Sequence, residues 1–377
     1  MKWVELKEIT NNLDNKRIPL NSSQRSGKES NPLYPYIGAN NIMGYIDEYI
    51  FDEKILCIAE DGGSWGKNET CAKIYNEKVW VNNHAHVITA KDSLVLEYLK
   101  YYLNFTDLNL YINGATRGKL TKSSLNSIQI PLPPLEQQKK IAAILDAADE
   151  YRQKTKVLIA KYDELTQSLF LDMFGDPRNN KANFPKLTMD EIADKITDGD
   201  HATPKRESTG HKLLSCRNIK NGYIDFSAGL DYVGEDEFNR MRKRCNPEYG
   251  DILISCSGTI GRATSIKTNE EFVLVRSAAL VKIQKDKVNS TYMEYYLRTE
   301  YMQSTMQSSS KSSGQANLFT GPIKKLPIII PPFNLQNQFA ERVQAIEVQK
   351  AQAQASLEKA EDLFNSLLQR AFKGELV

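Results

Sequence analysis

No C-x-x-C pair occurs in this 377-residue chain, and its cysteines are odd in number: Cys57, Cys71, Cys216, Cys245 and Cys256. That argues against a disulfide frame or a zinc site and fits reduced thiols in a cytoplasm. No run of 18 apolar residues is present, and Met1-Lys2-Trp3-Val4-Glu5 lacks the pattern of a signal peptide. The expectation is a soluble cytoplasmic protein with no membrane partner. A dominant charge is missing too. With a net charge of +2 and a pI of about 8.1, any nucleic-acid affinity must come from local rather than overall positive charge.

Catalytic signatures are equally scarce. Gly27-Lys28 lacks the glycine five positions earlier that a phosphate-cradling loop requires. Asn31-Pro32-Leu33-Tyr34 departs at its third residue from the Asn-Pro-Pro-Tyr of amino-methyltransferases, and no Phe-x-Gly-x-Gly loop accompanies it, so it reads as a turn. Glu5-Leu6-Lys7 has no preceding Pro-Asp, which disfavours a nuclease core. His84 and His86 fall on a predicted strand and point to one face, but no neighbouring carboxylate or cysteine completes a metal set. The residues therefore predict no cofactor, no metal and no catalytic residue. A hydrolase built on His84, His86 and Glu60 or Asp61 is the weakest of three readings.

What is present is a repeat. A constant, ungapped shift of 198 residues carries Leu120–Phe174 onto Leu318–Phe372. Pro133-Pro134 falls on Pro331-Pro332, Gln138 on Gln336, Ala142 on Ala340, Ser168 on Ser366 and Phe174 on Phe372. Self-similarity at a long fixed period marks a duplicated unit. Each copy reads as a strand end, a Pro-Pro break and one long helix, because Pro-Pro continues neither a ladder nor a helix. The first helix is predicted from Leu135 to about Met173 and stops at Phe174-Gly175-Asp176-Pro177. The second runs from about Leu335 to Phe372 and stops at Lys373-Gly374. At about 1.5 Å per residue each is roughly 55–60 Å long. Ile144, Ala148, Tyr151, Leu158, Tyr162, Leu165 and Leu169 form an apolar stripe on the first, with Thr155 as the polar exception. The second is rich in alanine and glutamine and cannot bury itself, so the economical packing is the two helices against each other, antiparallel.

The rest of the chain repeats more loosely. Trp3 to Ile9 starts a mixed α/β domain, and Asn11 to Asn31 reads as a loop. Strands are expected at Tyr45–Phe51, Ile55–Ala59 and Val79–Ile88, a turn at Gly62–Gly66, and a short helix at Leu94–Leu103. Gly63-Ser64-Trp65-Gly66 resembles Gly258-Thr259-Ile260-Gly261, and Tyr98, Tyr101 and Tyr102 match Tyr292, Tyr295 and Tyr296. Divergence concentrates in predicted loops at Glu60–Asn76, Asp200–Lys212, Gly234–Glu248 and Ser304–Ala316. Similar scaffolds with different loops suggest related jobs with different specificities.

Basic chemistry sits in those loops. Arg240, Arg242, Lys243 and Arg244 give four cations in five residues; Lys205 and Arg206 follow a Gly-Asp-His-Ala-Thr-Pro stretch. Arg117, Lys119 and Lys122 precede the first Pro-Pro, Arg25 and Lys28 lie in the first polar stretch, and Lys311 sits in a serine-rich run. With His84 and Arg262, these are the candidate DNA-binding residues, since Lys and Arg bind phosphates and Arg reads base edges. Any one such patch could be a solvated face; their recurrence in both halves favours DNA.

The pattern resembles the specificity subunit of type I restriction-modification systems over essentially the whole chain. The resemblance rests on Ile130-Pro131-Leu132-Pro133-Pro134-Leu135-Glu136-Gln137-Gln138, Gly250-Asp251-Ile252-Leu253-Ile254-Ser255, Gly258-Thr259-Ile260-Gly261-Arg262 and the terminal Ala371-Phe372-Lys373-Gly374-Glu375-Leu376. It implies an α+β fold with a pseudo-two-fold internal repeat: a target recognition domain at 1–130, a long helix at 131–176, a second recognition domain at 177–328 and a long helix at 329–377. The helices would form an antiparallel coiled coil that acts as spacer and as docking surface for two methyltransferase subunits. The recognition domains would read the two halves of a split double-stranded DNA target, about one helical turn apart. S-adenosylmethionine would belong to the methyltransferase subunits, and ATP and Mg²⁺ to the ATP-dependent restriction subunits. The alternative is a coiled-coil scaffold whose globular domains bind proteins rather than DNA.

Overall fold

In the computed structural model, residues 2–114, 116–310 and 317–376 are described. The chain divides into two units, Met1–Val157 with Ala353–Val377, and Leu158–Gln352. Each contains one α/β domain and half of each long helix.

In the first unit, Ile55–Ala59 is buried along its whole length and occupies the middle of a sheet ordered Thr10–Asn12, Ala85–Ala90, Ile55–Ala59, Ala72–Tyr75, all antiparallel. A second sheet pairs Tyr34–Ile37 antiparallel with Ile42–Ile46 and parallel with Trp80–Val81. Lys2–Glu5 pairs with Gln129–Leu132, so the start of the domain is stitched to the strand that leads into the first long helix. The helix Leu96–Phe105 buries Tyr98, Leu99, Tyr102 and Leu103, a 3–4 spacing that faces the core. Its tyrosines satisfy the carbonyls of that closing strand: Tyr98 Oη donates to Pro131 O (2.7 Å) and Tyr102 Oη to Gln129 O (3.0 Å).

The second unit has the same plan. Its sheet runs Ala193–Asp198, Ala278–Ile283, Ile252–Ser255, Ala263–Ser265. The second sheet runs Arg206–Glu207, Asp231–Val233, His211–Leu214, Phe272–Leu274, with the last pair again parallel. Lys186–Thr188 pairs with Pro327–Ile329. On the helix Ser290–Arg298, Tyr292 donates to Ile329 O (2.7 Å) and Tyr296 to Pro327 O (2.9 Å), the same bonds at the repeat-equivalent positions.

The long helices are Leu135–Phe174 and Phe333–Lys373. Gln138 fixes the start of the first. Its amide is fully buried, accepts from Val95 N (2.9 Å) and donates to Ser93 O and Pro133 O (2.9 Å each). Gln336 does the same with Asn289 N (2.9 Å), Lys287 O (3.2 Å) and Pro331 O (2.9 Å). Within the second unit Lys350 meets Asp163 (2.5 Å) and Phe339 meets Phe174 (ring centroids 5.3 Å), so the partner order reverses and the helices run antiparallel. Within the first, Ile141, Ala142 and Leu145 share a core with Phe364, Leu368 and Ala371.

Several expectations are corrected. The buried face of the first long helix is Ile141, Ala142, Leu145, Thr155, Thr166, Phe170 and Phe174, while Ile144, Tyr151, Leu158 and Leu165 are 37–54% exposed. Thr155 is a buried member of the inner face; its hydroxyl donates to Tyr151 O (2.8 Å), which satisfies it locally. The polar stretch at 11–31 contains Asp14–Lys16 and a capped helix, Ser22–Ser26, whose Asn21–Gln24 box supplies the start that composition hid. Tyr45–Phe51 shifts to Ile42–Ile46, and Val79–Ile88 breaks at Asn82 into Trp80–Val81 and Ala85–Ala90, which puts His84 in the turn rather than on the strand. Gly234–Glu248 is mostly the helix Glu235–Arg244, with acids in its first turn, bases in its last, and Phe238 and Met241 buried. The described part of Ser304–Ala316 is largely helical as well, in Glu300–Ser309.

Candidate nucleic-acid interface

In the first unit, three segments meet at one end of the main sheet: the loop after Ile55–Ala59, the turn before Ala85–Ala90 and the stretch before Leu120. Glu60 N donates to His84 O (2.8 Å) and Leu120 N to Glu60 O (2.7 Å), which laces them together. Two carboxylates organise the cations there. Glu60 accepts from Arg17 (2.5 Å) and Lys119 (3.0 Å); Asp61 accepts from Arg117 and His84 (2.8 Å each). Behind them Asp14 holds His86 (2.7 Å), Val87 N (2.9 Å) and Asn12 (2.9 Å). His86 is 1% exposed and its other ring nitrogen faces Leu120 O at 2.7 Å. Both ring nitrogens thus face acceptors, and both bonds form only when the ring carries two protons. Glu60 and Asp61 are the acids of the hydrolase reading, yet both are occupied by cations. Among the described residues no group of three or more His, Cys, Asp or Glu side chains is placed to hold a metal.

Burial pushes the Asp14 and Glu60 carboxyls up, but hydrogen bonds from His86, Val87 N and Asn12 to the one, and from Arg17 and Lys119 to the other, outweigh it and hold both below the usual range. A depressed carboxyl contributes stability that is complete above its unfolded value, about 4, and is lost as pH falls through the folded one. The expected result is acid-sensitive stability of the first unit, with an Asp14→Asn chain weaker at neutral pH and less pH-dependent below about 4. Urea midpoints between pH 3 and 7 test this; parallel curves for the two chains would contradict it.

In the second unit the equivalent sheet end is laced identically, with Cys256 N to Ser277 O and Leu318 N to Cys256 O (2.8 Å each). Its carboxylates come from the end of Ala193–Asp198. Asp198 accepts from Arg244 and His201 (2.7 Å each), and Asp200 from Arg240, which Glu237 also holds (2.9 Å). Asp231 gathers Arg206 (3.1 Å) and Arg217 (2.9 Å). The Arg240 bond lowers the Asp200 carboxyl, and burial raises that of Asp198 less than Arg244 and His201 lower it.

So the structure brings His84, Arg117 and Lys119 together in one unit, and Arg240 and Arg244 in the other. Arg206 is held on Asp231 beside Arg217, and the other described candidates have separate partners or are left exposed. Arg25 faces Glu29 (3.6 Å), and Lys28 pairs with Glu48 (2.6 Å) and covers Trp80. Arg242 turns to Glu271 and to Asn246 (2.5 Å) over Phe238. Lys122, Lys205 and Lys243 are exposed, Arg262 is half-buried, and Lys311 lies outside the described residues. Sequence reasoning missed Arg17, Arg217 and Arg276. Arg17 follows Lys16 in an apparent loop, and its partner Glu60 is 43 residues away. Only His201, inside the quoted Gly-Asp-His-Ala-Thr-Pro stretch, offered a local signal.

The family model described as the type I restriction modification DNA specificity domain matches residues 1–165 and 208–359. This chain belongs to that family. A putative type I restriction enzyme specificity subunit of Haemophilus influenzae is 29% identical over 92% of this chain and 88% of its own length. The EcoKI specificity subunit of Escherichia coli is 24% identical over 73% of this chain and 65% of the relative. In fold, the chain is similar to the S subunit of a type I restriction-modification system from M. genitalium, with a TM-score of 0.65 at 15% identity over 98% and 96% of the two chains. The protein is thus a specificity subunit, a non-catalytic component that recognises DNA, with two recognition domains and two long helices in an antiparallel coiled coil. Four thiols of this specificity subunit are buried, and burial pushes Cys71, Cys245 and Cys256 up to about 12, which makes them inert core residues. No helix among the described residues is long and apolar enough to cross a membrane.

Proposed function

We propose that this specificity subunit reads a split double-stranded DNA target, one half through each recognition domain, and directs two methyltransferase subunits and ATP-dependent restriction subunits to it. The observation that carries this reading is the polar cluster repeated at the same sheet end of both units. In each, carboxylates hold arginine and histidine side chains in fixed orientations, which suits recognition because the donors are ordered before DNA arrives. His84, Arg117 and Lys119 would serve one half-site, and Arg206, Arg240 and Arg244 the other. Arg25, Lys28, Lys122, Lys205, Arg242, Lys243, Arg262 and Lys311 would add phosphate contacts. The domains are 1–130 and 177–328, and the helices 131–176 and 329–377 set the gap and dock the methyltransferases. Ile144 and Tyr151 in one unit, and Leu158 and Leu165 in the other, support docking, because such exposed apolar side chains on a helix need a partner. The cytoplasm is where this work takes place.

The test uses the assembled methyltransferase complex. Alanine at both Arg240 and Arg244 should weaken DNA binding and lower the slope of log affinity against log salt by about 2, one for each lost cation. An unchanged slope with an unchanged unfolding midpoint would remove this cluster from the interface.

A further inference from the structure

We infer that Arg276 is a base-reading residue of the second recognition domain and selects a guanine in its half-site, an inference that rests on the DNA-reading role proposed above. Arg276 lies in the turn between Phe272–Leu274 and Ala278–Ile283, at the sheet end where the carboxylate cluster sits. It is exposed, and among the described residues its guanidinium makes no ion pair or side-chain hydrogen bond. Arg240 and Arg244 differ: their guanidinium groups are committed to Asp200, Glu237 and Asp198. Toward the described residues, Arg276 keeps all five N–H donors uncommitted.

Its backbone, by contrast, is held from several sides. Arg276 N donates to Asp200 O (3.0 Å), Asp200 N to Leu274 O (2.8 Å) and Gly199 N to Ala278 O (3.0 Å). Ala278 N closes the turn on Val275 O (3.0 Å), and Ser277 accepts from Cys256 N through its carbonyl (2.8 Å) and from Cys216 N through its hydroxyl (3.0 Å). The strand end passes so close that a Cβ at Gly199 would lie 2.2 Å from Leu274 O, so only glycine permits this seat. A long side chain whose donors bond none of the described side chains, on a backbone held by several hydrogen bonds, suits directional recognition better than loose charge attraction. Arginine's planar fork matches O6 and N7 of guanine in the major groove, and such a bidentate pair discriminates by roughly five- to a hundred-and-fifty-fold against other bases. At the corresponding turn of the first unit, Asn82 is buried and caps His84 N (2.8 Å), while the His84 ring is tied to Asp61. That turn carries no cation free to do the same, so the feature belongs to one half-site only.

The experiment is methylation mapping with the methyltransferase complex carrying wild-type chain, Arg276→Ala or Arg276→Lys in a methylation-free host. The wild-type complex establishes the motif; failure to obtain a split motif there would count against the DNA-reading role itself. Given that motif, Arg276→Ala should relax one G·C position in one half, with discrimination there falling about tenfold or more, while the other half and the unfolding midpoint stay unchanged. Arg276→Lys, which keeps the charge and loses the fork, should also relax that position. An unchanged motif with uniformly weaker binding and a salt slope lower by about 1 would make Arg276 a phosphate contact and overturn the inference. An unchanged motif with unchanged binding would overturn it as well.

Discussion

Gln138→Ala should lower the stability of the first unit by roughly 3 kcal/mol, a large effect for a single polar side chain. The side chain is 0% exposed and answers three backbone groups at once: Val95 N, Ser93 O and Pro133 O. Those groups belong to the loop before the tyrosine helix and to the Pro-Pro entry of the long helix, where no regular ladder or helix bond is available to them. Removing the amide leaves Pro133 O buried without a partner and strips the part-buried Val95 N and Ser93 O of theirs, at about 1–3 kcal/mol for the buried group and less for the other two. All three tryptophans, Trp3, Trp65 and Trp80, lie in the first unit, so urea unfolding followed by tryptophan fluorescence reports on it directly. A midpoint close to wild type would mean that the junction does not depend on this glutamine. Gln336→Ala should act alike on the second unit, which contains no tryptophan.

The second large effect is at the other end of the same helix. Phe174→Ala should destabilise the second unit by about 3–5 kcal/mol. The ring is 6% exposed and sits among Tyr292 (centroids 4.9 Å, edge-on), Phe170 (5.0 Å) and Phe339 (5.3 Å, edge-on). Deleting it removes a large apolar surface and leaves a cavity walled by rings that cannot all move inward, because Tyr292 is pinned through its hydroxyl to Ile329 O. Phe174→Leu should recover a good part of the loss by refilling the space. Hydrogen exchange in the helix Ser290–Arg298 is the readout; unchanged protection in Phe174→Ala would contradict the packing described. Phe372, its repeat partner, sits against Tyr98, Tyr102 and Phe105 in the first unit, so the same pair of changes there gives a second reading of the same motif.

Both predictions concern residues that the repeat exposed in the sequence. Gln138 and Gln336, or Phe174 and Phe372, keep their spacing to the Pro-Pro entry because their partners are fixed by that entry and by the tyrosine helix, contacts that each copy must make in the same register. That is why the duplication, the helix limits and the antiparallel pairing were legible. The orientation of the long helix about its own axis was not. A stripe at Ile144, Tyr151, Leu158 and Leu165 is the stronger apolar pattern, but the buried face includes the small residues Ala142, Thr155 and Thr166, and both threonine hydroxyls are satisfied by the helix's own carbonyls. Counting apolar residues therefore picks the wrong face, because a threonine that bonds its own helix can be buried.

The cation clusters divide along a similar line. Arg240 and Arg244 stand out in composition, yet their placement depends on a helix whose first-turn acids and last-turn bases match its dipole, and on Asp198 and Asp200 some 40 residues earlier. Arg17 and Arg276 carry little local signal, since what distinguishes them is how distant chain segments meet: one is drawn into a buried charge network, the other has no side-chain partner among the described residues.

The most direct test of the account is the methylated motif itself. The wild-type chain is co-expressed with its methyltransferase subunit in a host free of DNA methylation, the genome is sequenced for modified bases, and the mapping is repeated after replacing residues 177–328 with the corresponding domain of a relative of different specificity. The account predicts one split motif with two defined halves, and an exchange that changes one half while the other stays as it was. A continuous motif, or an exchange that alters both halves together, would contradict the reading of one half-site by each domain.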